Sequence, residues 1–585
     1  MKRNEMIFKN IFWAVKKLYN FNKIYFLFLT IDSVLKGITP VILLIITQQL
    51  LNNLQMGKTR VSEIIMLVIL LSVVGLLDDI ITNVLQVKIE SYEMKFEVHM
   101  QTSIFEKISK LDCKDFENSD IYDLINRTQY DANAGVIGNI KILFNFISLL
   151  LGLISYVIII IQYSVFILCL ISIMPIIRFI YEKKYNLSEY TFIKKNTEKM
   201  RRASYISYLI TNAEYYKEIK LFSLFNHFIL KYRRIKTEYN EKLIQLHRKR
   251  TNTYSVITII ESIMELIILI GLIKDVILVN LLIGEFILYN SSINTVKQNI
   301  VALFSQISIL YKNSLIIEQI KLFFDLPLEN INFDGIQIER IESIKLVNVS
   351  YRYKGKKEYT LKNININIRT GELCIFMGYN GAGKSTLIKL IMGIYSDYEG
   401  EIYVNNINLK ELDLEHYRKK VGVLFQDYIK YETSISENIW YGNMDFYNDE
   451  LRVEKYLRKI GLKEFIKSKR ELLGYQFKEG RQISIGQWQK LALARTLNRD
   501  ASMYIFDEPN AALDLISEKI ILDSIHELIP DSVVIMIMHR VSNIVFEAKN
   551  IVVLKDGQIH EIGTHEELIR NKGLYFELYQ IQNGS

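Results

Sequence analysis

Cysteine is scarce in this chain: Cys113, Cys169 and Cys374 are the only three in 585 residues, far apart and without metal-ligand spacing. That pattern excludes a cysteine-ligated metal centre, and a reducing cytoplasm is the expected setting of the soluble parts. No secretory signal is expected either, since Met1-Lys-Arg-Asn-Glu-Met6 has neither an apolar core nor a small-residue cleavage site. Charge of one sign is in only modest excess: 72 basic against 64 acidic residues, a net +8. The basic residues fall largely beside apolar runs. Retention of cytoplasmic loops against a lipid bilayer accounts for them, and nucleic-acid binding does not.

What is present is uneven. Half of the residues are hydrophobic, and long uncharged runs crowd into the first 310 or so. A chain of this length is too long for one core. Residues 7–20 place aromatics and lysines at helical spacing, which suits an amphipathic helix on the inner membrane face. Six apolar segments follow, near 24–51, 61–87, 139–161, 164–181, 253–273 and 284–310. Ile142 to Ile161 carries no charge over 20 residues, about enough to cross a ~30 Å hydrocarbon core. Only Gln162, Tyr163 and Ser164 separate the third span from the fourth. Short connections follow spans one, three and five; long charged ones (88–138 and 182–252) follow two and four. The alternation predicts helices running well past the membrane on one side. That side is expected to be cytoplasmic, because the chain downstream carries a P-loop, Gly378 to Ser385, and both termini then lie inside.

Several spans carry ionisable residues: Asp32 and Lys36, Asp78 and Asp79, Glu261 and Glu265, and Lys297. Such groups are expensive in lipid and face a bundle interior or a wet cavity. Two readings stand: a polar translocation path of acidic character, or interhelical pairing, with Asp78 and Asp79 close to the interface. Polar helices are expected at 116–126 and 213–222, at the far tips of the long loops. The linker falls at 326–343.

Downstream, Gly378-Tyr-Asn380-Gly381-Ala-Gly383-Lys384-Ser385, then Thr386, matches the P-loop pattern G-x-x-x-x-G-K-[ST]. A short apolar run precedes it and a helical pattern follows. The loop amides and the helix N-terminus would cradle phosphates. Lys384 would reach the β- and γ-phosphates, and Ser385 would coordinate Mg²⁺. Gln426 ends an apolar strand and could sense Mg²⁺ and the attacking water. Asp507 ends another and would hold Mg²⁺, with Glu508 next to it as general base. A third strand ends in His539, placed for the γ-phosphate.

Between these pieces Ile483-Ser484-Ile485-Gly486-Gln487 opens a helix, Trp488 to Arg495. Here the sequence resembles the ATP-binding cassette (ABC) family, whose signature reads LSGGQ. Gly474 to Gly480 and Gly486 to Thr496 look like half-transporters that export lantibiotic and other bacteriocin peptides. The resemblance implies that Tyr353 stacks on adenine, and that Ser484, Gly486 and Gln487 contact ATP held by a partner chain. It implies further that Ala511 to Asp514 crosses between cassettes, and that 116–126 and 213–222 are coupling helices. Two positions depart from the pattern: Ile485 stands where the family has glycine, and Ala511 where it has serine. A β-branched Ile485 would crowd the phosphate and restrict the backbone. No peptidase domain is expected before the first helix.

The expected architecture is therefore an all-α, six-helix transmembrane domain (1–325), the linker, and an α/β P-loop ATPase domain of the ABC type (344–585). The expected activity is ATP-driven export of a modified peptide across the bacterial cytoplasmic membrane, by alternating access in a dimer of half-transporters. Lipid or drug export on the same architecture is the runner-up. A membrane regulator that binds ATP without transport is the alternative of a different class; a missing P-loop lysine or base would favour it, and both Lys384 and Glu508 are present.

Overall fold

Without a proline after its own start, the stretch from Ser119 to Tyr163 holds one unbroken helix of 45 residues. Its length sets the style of the first half of the chain. The computed structural model describes residues 2–57, 60–278, 280–329, 335–509, 515–538 and 543–583, and these fall into two units. One comprises Met1–Lys110 with Ser119–Pro327, the other Leu111–Asn118 with Leu328–Ser585.

Among the described residues the elements of the first unit are all helices: α1 (Lys2–Phe21), α2 (Lys23–Met56), α3 (Val61–Ile108), α5 (Ser119–Tyr163), α6 (Val165–Thr211), α7 (Ala213–Leu221), α8 (Phe225–Ile277) and α9 (Ile283–Phe324); the short α4 (Cys113–Phe116) belongs to the second unit. Six of them, α2, α3, α5, α6, α8 and α9, are long and apolar enough to cross a membrane. Each span extends as one helix into the charged sequence beside it, so the long loops are helix rather than coil. α5 packs against α9 and α2, and α6 pairs with α8. Helix α1 is amphipathic. Ala14 and Leu18 are buried, Phe8 and Phe12 exposed, and Asn10 Nδ2 donates to Ser314 O of α9 at 3.0 Å.

Pairing is what the structure assigns to most of the charges in the spans. Lys36 binds Asp32 at 2.7 Å within α2. Across helices, Lys297 of α9 meets Glu265 of α8, and Arg178 of α6 lies 3.9 Å from Glu261 of α8. Asp32, Glu261 and Glu265 thus each have a cation on the same or a neighbouring helix, which lowers the expense of holding them there. Asp78 is half-buried and Asp79 exposed on α3.

One expected helix is redrawn. Residues 116–126 are not a separate element: α4 stops at Phe116, and Ser119 already begins α5. The Asp112 side chain caps α4 by accepting from Lys114 N, while the residues after Ser119 continue without a breaker into the span.

The second unit is α/β. A four-stranded antiparallel sheet has the order β2-β1-β4-β5, from β1 (Ser343–Tyr351), β2 (Leu361–Arg369), β4 (Glu399–Val404) and β5 (Ile407–Asn408). Leu361, Ile364, Ile366 and Ile368 of β2 are buried. A bulge at Asn363 (φ +50°) lets Leu361 and Ile364 share a face despite their odd spacing. The larger sheet has the order β10-β9-β3-β8-β7-β6, from β3 (Leu373–Gly378), β6 (Val421–Leu424), β7 (Met503–Asp507), β8 (Val533–Ile537), β9 (Asn550–Lys555) and β10 (Gln558–Gly563). Strands β9, β3, β8, β7 and β6 run parallel, and β10 closes the edge antiparallel. β3 and β8 are buried along their whole length, as continuous apolar runs in a covered parallel sheet must be. Helices α10 (Lys384–Ile391), α11 (Leu414–Lys419), α12 (Ile435–Trp440), α13 (Glu450–Lys459), α14 (Ile485–Leu497), α15 (Leu515–His526), α16 (His565–Asn571) and α17 (Leu574–Asn583) complete the unit.

Candidate nucleotide site

The register of the parallel sheet assembles the site. Phe376 pairs with Ile537, Asp507 with Ile537, and Leu424 with Phe506. The carboxyl ends of β3, β7 and β8 are therefore level, and β6 ends beside β7. Ligands of open α/β sheets bind at that edge. Gln426 and Glu508 both lie two residues past a paired position, and Gln426 Nε2 donates to Glu508 Oε2 at 3.0 Å. Sequence spacing alone could not show that contact.

The P-loop needs its glycines. Gly378 has φ +139°, and a Cβ there would sit 2.2 Å from Leu554 O. Gly383 has φ +101° at the start of α10, where a Cβ would meet Leu361 at 2.7 Å. Both conformations are nearly closed to other residues. Lys384 is 5% exposed, and its ammonium donates to Gly378 O at 2.7 Å and Tyr379 O at 3.0 Å. Burial lowers its pKa, against the pull of Glu508 and Asp507. Asp507 is pushed up to about 6, by burial first and by the charge of Glu508 second.

These features fit a nucleoside triphosphate with a divalent cation. A buried ammonium bonded to two carbonyl oxygens suits an anion. Two adjacent carboxylates, one of them partly desolvated, have the oxygen chemistry of a Mg²⁺ ligand set. Ser385 is exposed at the first turn of α10, Gly381 and Asn380 are exposed in the loop, and Thr386 is buried. Thr386 Oγ1 lies 3.0 Å from the Tyr353 hydroxyl, so Tyr353 is brought to the P-loop helix. His539 and Asp514 lie outside the described residues.

One feature of Glu508 escaped sequence reasoning. Its φ is +49°, while its N–H donates to Ile537 O at 3.1 Å. Left-handed backbone in a non-glycine residue costs about 1–2 kcal/mol, and such outliers gather at functional sites.

The ABC transporter family model matches residues 361–511 of this chain. The subtilin transport ATP-binding protein SpaT of Bacillus subtilis is 32% identical over 591 residues, covering 100% of this chain and 96% of SpaT. The nisin transport ATP-binding protein NisT of Lactococcus lactis is 32% identical over 581 residues, covering 97% of this chain and 95% of NisT. This chain is an ABC transporter. It also has the fold of a solved bacterial Atm1-family ABC exporter with ATP bound, at a TM-score of 0.77 and 19% identity, over 96% of this chain and 98% of that one. It is an ATP-hydrolysing, multi-pass membrane protein of half-transporter size.

The transporter's signature opens α14. Ser484 is the N-cap: its hydroxyl accepts from Gln487 N at 3.2 Å, and Gln487 Oε1 accepts from Ser484 N at 3.0 Å. Gly486 is half-buried in the first turn. Among the described residues none of Ser484, Gly486 and Gln487 hydrogen-bonds to the P-loop of the same chain. Ile485 is the first helical residue, with ordinary right-handed backbone, and is 61% exposed. Isoleucine adopts that backbone without strain, so only its bulk distinguishes it from glycine. Its carbonyl accepts from the Tyr428 hydroxyl at 3.2 Å.

A second missed residue is Gln489. It is 4% exposed on α14, and its Nε2 donates to Pro509 O at 2.6 Å. This bond ties the signature helix to the residue after Glu508. An amide at a position facing the core was the available signal.

Proposed function

We propose that this transporter is one half of a dimeric exporter that moves a modified peptide of the lantibiotic kind out of the bacterial cytoplasm. The observation that carries this reading is the full-length likeness to SpaT and NisT, which spans the membrane unit as well as the cassette. In the proposed site the P-loop amides from Gly378 to Thr386 and the Lys384 ammonium bind the phosphates, and Tyr353 stacks on the adenine. Asp507, Ser385 and Gln426 hold Mg²⁺, which when bound supplies positive charge against the β- and γ-phosphates. Glu508 takes the proton of the attacking water, with Gln426 holding its carboxylate at 3.0 Å. His539 contacts the γ-phosphate. Ser484, Gly486 and Gln487 meet the ATP bound by the partner chain, and 511–514 crosses between cassettes. Closure around ATP moves the loop segments and turns the spans outward; hydrolysis reopens them. Both termini lie in the cytoplasm.

We favour a homodimer, because the helical backbone of Ile485 is undistorted and both halves of each site are present in one chain. The cargo reading is tested in a lactococcal host lacking NisT that makes the modified nisin precursor, and in a matching subtilin host lacking SpaT. This chain is expected to restore secretion in at least one, and Glu508→Gln to abolish it. ATPase activity without secretion in either host would refute the peptide reading.

A further inference from the structure

Three tyrosines stand together beside the P-loop helix. Tyr351 stacks on Tyr395 at 5.1 Å between centroids and 7° between planes. Tyr353 meets both edge-on, at 5.2 Å from Tyr351 and 5.8 Å from Tyr395. The ring assigned to adenine is therefore braced by Tyr395, which is 2% exposed. The Tyr395 hydroxyl in turn donates to Glu117 Oε1 at 2.6 Å. Glu117 precedes the cassette by more than two hundred residues of sequence, but its segment, Leu111–Asn118, belongs to the same unit.

Lys389 of α10 completes a triangle, donating to Glu117 Oε1 at 3.1 Å and to the Tyr395 oxygen at 3.0 Å. One residue pair away, Lys114 binds Asp397 at 2.6 Å, so the turn carrying Tyr395 is held twice by the same short segment. Burial and Glu117 both raise the Tyr395 pKa, which keeps the phenol protonated and fixes it as the donor. A buried hydroxyl that loses its acceptor bears the desolvation penalty of an unmade hydrogen bond. The bond that fixes the end of the Tyr395 ring is then lost, and with it part of the support against which Tyr353 rests.

We propose that Glu117 is a positioning residue for ATP binding, acting through Tyr395 to hold the ring of Tyr353 in place for the adenine. The proposal rests on the reading of Tyr353 as the base platform. Preorganising a binding surface raises affinity by removing the ordering needed on binding. The expected signature is thus in KM for ATP, with the chemical step untouched.

The experiment compares steady-state ATPase of the full chain in lipid nanodiscs for the wild type, Glu117→Ala, Glu117→Gln, Tyr395→Phe, Tyr353→Ala and the Glu117→Ala/Tyr353→Ala double variant. Glu117→Ala and Tyr395→Phe are expected to raise KM about three- to tenfold with kcat within about twofold. Glu117→Gln keeps an acceptor oxygen and should stay near wild type. In the Tyr353→Ala background Glu117→Ala should add nothing, since residues acting through one contact are not additive. Should Glu117→Ala not fold, Tyr395→Phe carries the same comparison. An unchanged KM, a fall confined to kcat, or full additivity with Tyr353→Ala overturns the proposal. A Tyr353→Ala variant with unaltered KM would instead remove the base-platform reading on which it rests.

Discussion

Replacing Ile485 by glycine separates the two ways in which this chain could assemble. The folding effect follows from the structure. Ile485 is the first residue of α14 and 61% exposed, so about two-fifths of its side chain is out of water, worth ~0.6–1.2 kcal/mol on a scale of ~1.5–3 for full burial. Glycine adds about 0.5 kcal/mol of helix propensity loss. The sum, about 1–1.7 kcal/mol, corresponds to roughly 2–6 °C in the thermal midpoint for a domain of this size. The Tyr428 bond is to the Ile485 carbonyl and survives. If two copies of this chain form the sites, isoleucine is already accommodated there. The purified lone chain should then hydrolyse ATP, and Ile485→Gly should change kcat by less than about threefold, equivalent to ~0.65 kcal/mol. The assay is phosphate release in nanodiscs alongside a melting curve. A nearly inactive lone chain that glycine accelerates about tenfold or more, ~1.4 kcal/mol of barrier, would refute the homodimer and point to a partner with an intact signature.

Glu508→Gln should leave nucleotide binding intact and lower single-turnover hydrolysis by about 10²–10⁴-fold; a rate within a few-fold of wild type would dismiss Glu508 as the base. Gly378→Ala places a Cβ 2.2 Å from Leu554 O at φ +139°, so equilibrium unfolding should show a loss of at least ~2 kcal/mol and nucleotide binding should fail. A loss below ~0.5 kcal/mol would show that the strand can shift. Arg178→Leu leaves Glu261, 7% exposed, without its nearby cation and should destabilise the membrane unit by about 3–5 kcal/mol; Arg178→Leu/Glu261→Leu together should recover most of it, and a double variant no better than the single would dissolve the pair. In a Cys169→Ser background, Ser164→Cys should react with an impermeant thiol reagent in intact cells while Cys113 stays unlabelled, and the reverse pattern would invert the topology.

Much of this protein was legible before its structure. The apolar runs, the short connection at Gln162 to Ser164 and the P-loop are local facts. A span declares itself by length and lack of charge, and a phosphate loop by glycines that nothing else replaces. β3, β7 and β8 were readable for the same reason, since a strand covered on both faces must be apolar throughout. The helix after the signature was expected from Trp488, and the structure begins it at Ile485 with Ser484 as its cap. Only the tertiary structure decided which distant residues meet. The levelling of strand ends that joins Gln426 to Glu508 depends on sheet register, which no window of sequence contains. The left-handed backbone at Glu508 is imposed by the bond of its amide to Ile537, a partner 29 positions away. The charges in the spans looked alike in sequence, and packing of α6, α8 and α9 brought Arg178 near Glu261 and Lys297 onto Glu265. The break at Glu117 and Asn118, which detaches α4 from α5, came from capping and docking rather than from propensity. So did the placing of Glu117 on Tyr395, because a contact between residues 278 apart is written only in the folded chain.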